Sequence, residues 1–180
     1  MVLAWLFRCN IVIIFHSHQG NMTKYLTLLR HGEAETGYGQ KNDFERKLTD
    51  DGVHKLERLV NVLKDRELSY DLLLNSPAKR TVETTDIIQS GLNIKKRLVE
   101  ERLYLGSAGG LLELISEIRD EHCHVILVGH NPGISGLLGN ITGDYQINLS
   151  PGMMAIIEIH AEYWKIGANR GMGSLLEVLQ

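Results

Sequence analysis

Residues 125–128 read Val-Ile-Leu-Val, apolar at every position, and residues 25–29, Tyr-Leu-Thr-Leu-Leu, come close to that pattern. A strand with one face in water alternates apolar and polar side chains. Runs this short and this continuous are expected of strands buried on both faces. Such strands call for a sheet covered by helices on either side. Both runs also end alike, giving out onto a histidine: Leu28-Leu29-Arg30-His31-Gly32-Glu33 in the first case, Val128-Gly129-His130-Asn131-Pro132 in the second.

The segments between these runs carry helical signals. Thr49 reads as an N-cap, with Asp50 and Asp51 in the first turn, where carboxylates favour the positive helix end. Val53, Leu56, Leu59, Val60 and Leu63 then recur at helical spacing, which predicts one buried face. A strand over 71–74 runs into Asn75-Ser76-Pro77, where Ser76 is expected as N-cap and Pro77 as first helical residue, its missing N–H costing nothing there. That helix continues through Val82, Thr85, Ile87 and Ile88 until Gly91. Leu111, Leu112, Leu114, Ile115 and Ile118 form the apolar face of another. Asn131 as N-cap and Pro132 as first residue repeat the Ser-Pro device, and Ile134, Leu137, Leu138 and Ile141 bury the helix that follows. A strand over 153–159 and a short edge strand over 164–166 close the pattern. The order β, α, β, α, α, β, α, β predicts a single α/β domain with a mostly parallel sheet flanked by helices.

Open α/β sheets place their sites at the carboxyl ends of the strands, where both histidines fall. An arginine before His31 and a backbone-exposing glycine after it suit an anion. Arg80 is expected in the first turn of its helix, beside N–H groups that attract phosphate, whereas its neighbour Lys79 reads as an ordinary solvated charge. The charged loop over 33–47, with Gly37 and Gly39, is expected to rim the site. Arg30, His31, Arg80 and His130 form a set that packing alone does not call for.

In this order and spacing, the stretches Leu-Leu-Arg-His-Gly-Glu, Leu48-Thr49-Asp50-Asp51-Gly52, Ser-Pro-Ala-Lys-Arg-Thr-Val-Glu-Thr from Ser76 to Thr84, and Val-Gly-His-Asn-Pro-Gly from Val128 to Gly133 resemble the histidine phosphatase superfamily, and within it the short phosphohistidine phosphatase SixA branch. The resemblance implies a phosphoglycerate mutase-like fold. It further implies that His31 is the nucleophile, forming a phosphohistidine intermediate, with Arg30, Arg80 and His130 on the phosphoryl oxygens and the main-chain N–H of Asn131 a further phosphate contact. Larger members of the superfamily insert helices over the site; between Gly91 and Gly110 this chain has no room for such a lid. The run Glu100-Glu101-Arg102-Leu103-Tyr104 is similar to the acidic motif of the mutases and makes Glu101 the candidate proton donor, with Glu33 a weaker alternative. The scheme needs no cofactor and no metal. The His122-Cys123-His124 triplet has no second cluster at ligand spacing, so no metal site is expected there.

Three functions follow as expectations: a phosphatase acting on a phosphohistidine-carrying signalling or phosphotransfer protein, a small-molecule phosphomonoesterase on the same fold, and a phosphate-binding module without turnover. The third is the least expected, since all four core residues are present. A net charge of −3 offers no basic surface for nucleic acid. Two cysteines, Cys9 and Cys123, give no disulfide framework, and a reducing cytoplasm is the expected setting. Residues 1–21 read as an extension outside the core fold, with 22–180 as the phosphatase domain. Their apolar runs are split by Arg8, Cys9 and Asn10 and fall short of the roughly 20 residues of a membrane span, so a membrane role is not expected and a weak anchor is the alternative.

Overall fold

A computed structural model describes residues 23–36, 43–66 and 68–180; the 1–21 extension lies outside the described residues. Six strands form one sheet in the order β5-β3-β6-β1-β7-β8. Four of them run parallel: β5 (Arg97–Val99), β3 (Leu72–Asn75), β6 (His124–Gly129) and β1 (Lys24–Arg30). β7 (Met154–Ile159) and β8 (Gly173–Leu179) close one side antiparallel. The short β2 (Ser69–Tyr70) and β4 (Asn93–Ile94) pair with each other outside this sheet.

The absence of alternation in the central strands has the expected cause. Leu26 and Leu28 of β1, Val125 and Leu127 of β6 and Ala155 and Ile157 of β7 face one side, packed under α3 (Ala108–Ser116) and α4 (Gly133–Thr142). Leu29, Ile126, Val128, Met154 and Ile156 face the other side, under α1 (Asp50–Lys64) and α2 (Lys79–Gln89). Truncating any of these large side chains, Leu127 for example, is expected to cost about 2–5 kcal/mol.

Thr49 caps α1 as expected, its side-chain oxygen accepting from Gly52 N at 3.0 Å. Gly52 also lets the chain after His31 lie against the helix: a Cβ here would stand 2.2 Å from the Glu33 carbonyl oxygen, which accepts from Thr49 N. The α1 start is thereby tied to the loop that carries His31.

Three local readings differ from the structure. Ser76 is not the N-cap of α2: the helix starts later, at Lys79, with Ala78 at the N-cap position and without a side-chain bond, while the buried Ser76 hydroxyl accepts from Ala78 N and meets His130. Pro132, after a cis Asn131–Pro132 bond, is the N-cap of α4, and the helix starts at Gly133. The expected edge strand over 164–166 is instead a single helical turn, α5 (Trp164–Gly167). Asp120 Oδ1 accepts from Trp164 N at 2.8 Å and the His122 carbonyl from its indole N–H at 2.7 Å, so the fully buried Trp164 is fixed by tertiary contacts. The true edge strand is β8.

Candidate active site

The parallel strands deliver the predicted residues to one place. His31 follows β1, His130 follows β6, and Arg80 sits in the first turn of α2, reached through the end of β3. All three are buried, at 9%, 6% and 4% exposure. The His31 and His130 rings are 4.9 Å apart.

Hydrogen bonding defines the state of each ring. His31 Nδ1 lies 2.7 Å from the Gly32 carbonyl, which only accepts, so Nδ1 carries the proton. Nε2 is then a lone pair, facing the Arg80 Nε–H at 3.3 Å. Burial, and after it the charges of Arg80, Arg30 and Arg46, bring the His31 pKa down to about 4, against a raising contribution from the Gly32 bond. A neutral imidazole with a bare nitrogen is what nucleophilic attack requires. His130 is lowered further, to about 3, by burial first, then by His31, Arg80 and Arg30, with Asp43 opposing.

Arg80 is the hub of the cluster. Besides His31, its guanidinium donates to His130 Nδ1 at 3.1 Å, to Asp43 Oδ2 at 3.0 Å and to the Asp43 carbonyl at 2.5 Å. Its helix is pinned to the His31 loop: the Thr84 hydroxyl donates to the Arg80 carbonyl at 2.6 Å and accepts from Gly32 N at 3.0 Å. Arg30 donates from NH1 to the Leu149 carbonyl at 2.8 Å. Its Nε is the one buried side-chain nitrogen or oxygen without a hydrogen-bond partner among the described residues. An unpaired guanidinium N–H beside a lone-pair imidazole and a second arginine makes a receptor for a phosphoryl oxygen.

The other expected residues fall differently. The Asn131 side chain turns to the loop after α4, donating to Asn148 Oδ1 at 2.7 Å and to the Leu149 carbonyl at 3.0 Å, while its main-chain N–H has no partner among the described residues. Glu101 opens an exposed 3-10 turn (Glu101–Leu103), and none of the described hydrogen bonds joins its carboxylate to the histidines or to Arg80. Glu33 pairs with Lys55 at 2.7 Å.

Three contributors were not legible as such. Asp43, in the charged rim loop, accepts from Arg46 and Arg80 and from the Tyr104 hydroxyl at 3.1 Å. Burial alone would push its carboxyl up, but those hydrogen bonds and the Arg80 charge hold it below the ordinary range. Tyr104 stands edge-on to His130 with ring centroids 5.6 Å apart, and Phe44 stands edge-on to Tyr104 at 5.2 Å. The segment after Tyr104 is held by close approach: a Cβ on Gly133 would lie 2.1 Å from the Gly106 carbonyl oxygen. Ser76 is the third. The only sequence signal for Tyr104 was its place in the Glu-Arg-Leu-Tyr run, where the carboxylate drew attention.

Comparison with known proteins fits this geometry. Residues 26–104 match the family model of the histidine phosphatase superfamily (branch 1), a stretch containing Arg30, His31 and Arg80. Among solved structures, one from Agrobacterium tumefaciens assigned as a phosphohistidine phosphatase SixA shares 25% identity over 87% of this chain and 97% of its own, with a TM-score of 0.71. The protein histidine phosphatase SixA in complex with tungstate superimposes with a TM-score of 0.73 at 20% identity, covering 86% of this chain and 96% of that one. A mycobacterial glucosyl-3-phosphoglycerate phosphatase aligns at 15% identity with a TM-score of 0.61, over 85% and 97% of the two chains. No curated protein matches. The match to the histidine phosphatase superfamily thus covers the first part of the domain, and the fold of the whole is the phosphoglycerate mutase-like one of the SixA structures. The two SixA structures superimpose with higher TM-scores than the mycobacterial phosphatase, and together with the family match they support a phosphatase with a histidine nucleophile.

Proposed function

We propose that this protein removes phosphate from a phosphohistidine carried on a signalling or phosphotransfer protein, with 22–180 as its catalytic domain. The observation that carries the reading is the state of His31: neutral, with Nδ1–H held by the Gly32 carbonyl and the Nε2 lone pair turned to Arg80. In the first step Nε2 attacks phosphorus, and the bond from phosphorus to the substrate imidazole breaks with its electron pair returning to the ring nitrogen. Arg30, Arg80 and His130 hold the equatorial oxygens through the loose transition state. Water then attacks the phosphohistidine at His31, releasing inorganic phosphate and regenerating the bare nitrogen.

The choice of substrate rests on two features. Between β5 and α3 stand only the short 3-10 turn and a brief loop, which leaves no helix inserted there between the site and a side chain presented on another protein. The second is the want of an acid. Asp43, the carboxylate bonded to Arg80, is held ionised, and Glu101 is exposed. With the second nitrogen of its ring protonated, a phosphohistidine releases a neutral imidazole, so the proton that an alkoxide would need from the enzyme is already on the substrate, and exchanging one P–N bond for another is nearly balanced in energy. The test compares kcat/KM for a histidine-phosphorylated phosphotransfer domain with that for sugar phosphates and phosphoglycerates. Preference for the protein is expected. Faster hydrolysis of a small ester, abolished by Glu101→Gln, would establish the small-molecule phosphomonoesterase instead, the kind of activity named for the mycobacterial neighbour.

A further inference from the structure

The second histidine of the site has a wiring that its phosphate-binding role does not explain. Arg80 NH2 lies 3.1 Å from His130 Nδ1, and a guanidinium only donates, so Nδ1 is the bare nitrogen of the ring. The proton of the neutral ring is therefore on Nε2, which lies 2.8 Å from Ser76 Oγ. Ser76 is fully buried and held rigidly: its N–H donates to the Val128 carbonyl at 3.0 Å, and its carbonyl accepts from Asn75 Nδ2 at 2.9 Å and Thr81 Oγ1 at 2.8 Å. Its hydroxyl oxygen also accepts from Ala78 N at 3.3 Å, and with its second lone pair it accepts from His130 Nε2–H. As it stands, the nitrogen of His130 turned toward the arginine cluster has no hydrogen to offer an oxyanion.

From this juxtaposition we propose that Ser76 is a positioning residue that locks His130 in its Nε2–H form, so that Nδ1 is kept bare in the empty site and takes up a proton when a phosphoryl dianion binds. The proposal rests on the site being a phosphoryl receptor, as argued above. Proton balance is simple. Nε2 keeps its hydrogen on Ser76 throughout, one proton enters from solvent at Nδ1, and the imidazolium then donates to Ser76 and to a phosphoryl oxygen at once. When phosphate leaves, that proton returns to solvent.

The surroundings favour this response. Facing His130 are His31 and Arg30 from the end of β1, Arg80 from α2, Asp43 from the rim loop and Tyr104 after the 3-10 turn. Arg30 and Arg80 bring positive charge to it that Asp43 only partly offsets, which with burial keeps the ring neutral in the free protein. A dianion placed among them reverses the local potential and makes the second proton favourable. His130 is thereby a donor only when there is an anion to receive it, and Arg80 regains its second N–H for the phosphoryl group at the same moment.

Tungstate is the probe, because it is a dianion that does not itself titrate near neutral pH. Nitrogen-15 spectra of the histidine rings in the full-length wild-type chain should show His130 with Nε2 protonated and Nδ1 bare in the free protein, and with both protonated when tungstate is bound. Titration calorimetry of Ser76→Ala, checked for folding by thermal unfolding, should show at least tenfold weaker tungstate binding, and the ring should lose its single tautomer. Should that variant fail to fold, the wild-type spectra decide. A free-state Nδ1–H, tungstate binding without protonation of Nδ1, or wild-type affinity in a folded Ser76→Ala would each overturn the proposal while leaving the phosphatase reading intact. A wild-type chain that binds no tungstate at all would overturn both.

Discussion

At the amino ends of the parallel strands, Lys24 is 1% exposed, donates to the Asp120 carbonyl at 2.8 Å, lies 3.6 Å from the Asp120 carboxylate and sits over the Trp164 ring at 5.4 Å. Nearby, Asp71 accepts from Cys123 N, His124 N and Lys95 Nζ, and its carboxyl stays below the ordinary range because these bonds outweigh the effect of burial. At the carboxyl ends of the same strands, Arg46 and Arg80 share one carboxylate, Asp43, Arg30 and Arg80 both bear on His31, and Arg30 Nε has no partner among the described residues. Both ends bury charge and both hold histidines. At one end Lys24 and Asp71 are answered from within the chain; at the other, among the described residues, positive charge is left over. Buried charge is thus a poor marker of function by itself, and an unanswered buried donor is a good one.

Substitutions at the two ends should separate accordingly. His31→Ala is expected to abolish turnover with only a modest change in thermal unfolding, because the ring is the proposed nucleophile and lies at a strand end outside both apolar clusters; wild-type activity in the folded variant would remove the carboxyl end as the seat of catalysis. Arg80→Lys keeps the charge and loses the fork that serves His31, His130 and Asp43 together. A fall of about 10²-fold or more in kcat is expected, comparable to removing one transition-state donor. Near-normal rates would reduce Arg80 to a structural charge. Lys24→Met inverts the pattern: a loss of about 1–3 kcal/mol is expected from the Asp120 carbonyl left without its donor, with kcat unchanged. Loss of activity without loss of stability would break the division between the ends.

A smaller effect should appear in the pH dependence of stability. His31 and His130 are lowered to about 4 and about 3 in the folded protein, from 6.5 in the unfolded chain. Between those values the unfolded chain binds more protons, so stability rises with pH through the window. The contribution is fully present above pH 6.5 and is lost as pH falls toward 4. Urea midpoints measured at pH 7 and pH 5 should show this loss, and His130→Ala should reduce it. An unchanged acid loss in that variant would move its origin to other groups.

Much of this division could be read from residues alone. The continuous apolar runs announce strands buried on both faces, and the histidines and arginines that end or follow them are the ones the structure brings together. What could not be read depends on contacts distant in sequence. β5 is three residues long with Leu98 and Val99 exposed, and it is a strand only because β3 pairs with it. Trp164 turns a presumed strand into a helical turn through Asp120 and the His122 carbonyl. Ser76 carries a genuine capping signal, yet the helix starts later, at Lys79, and the Ser76 hydroxyl meets His130. Asp43 is one carboxylate in a loop of many charges, and nothing local distinguishes it. Motif likeness points to Glu101 for the acid, while the neighbour that reaches the cluster is Tyr104, three residues on.

The central claim is that the leftover positive charge serves a covalent phosphohistidine at His31. Incubation with a histidine-phosphorylated protein, quenching without acid and peptide mass spectrometry would test it directly. The account predicts a phosphoryl group on His31, stable to alkali and lost in acid, which accumulates during turnover and is absent from His31→Ala. Turnover at the normal rate with no phosphoryl group on His31, or with the group on another residue, would contradict it.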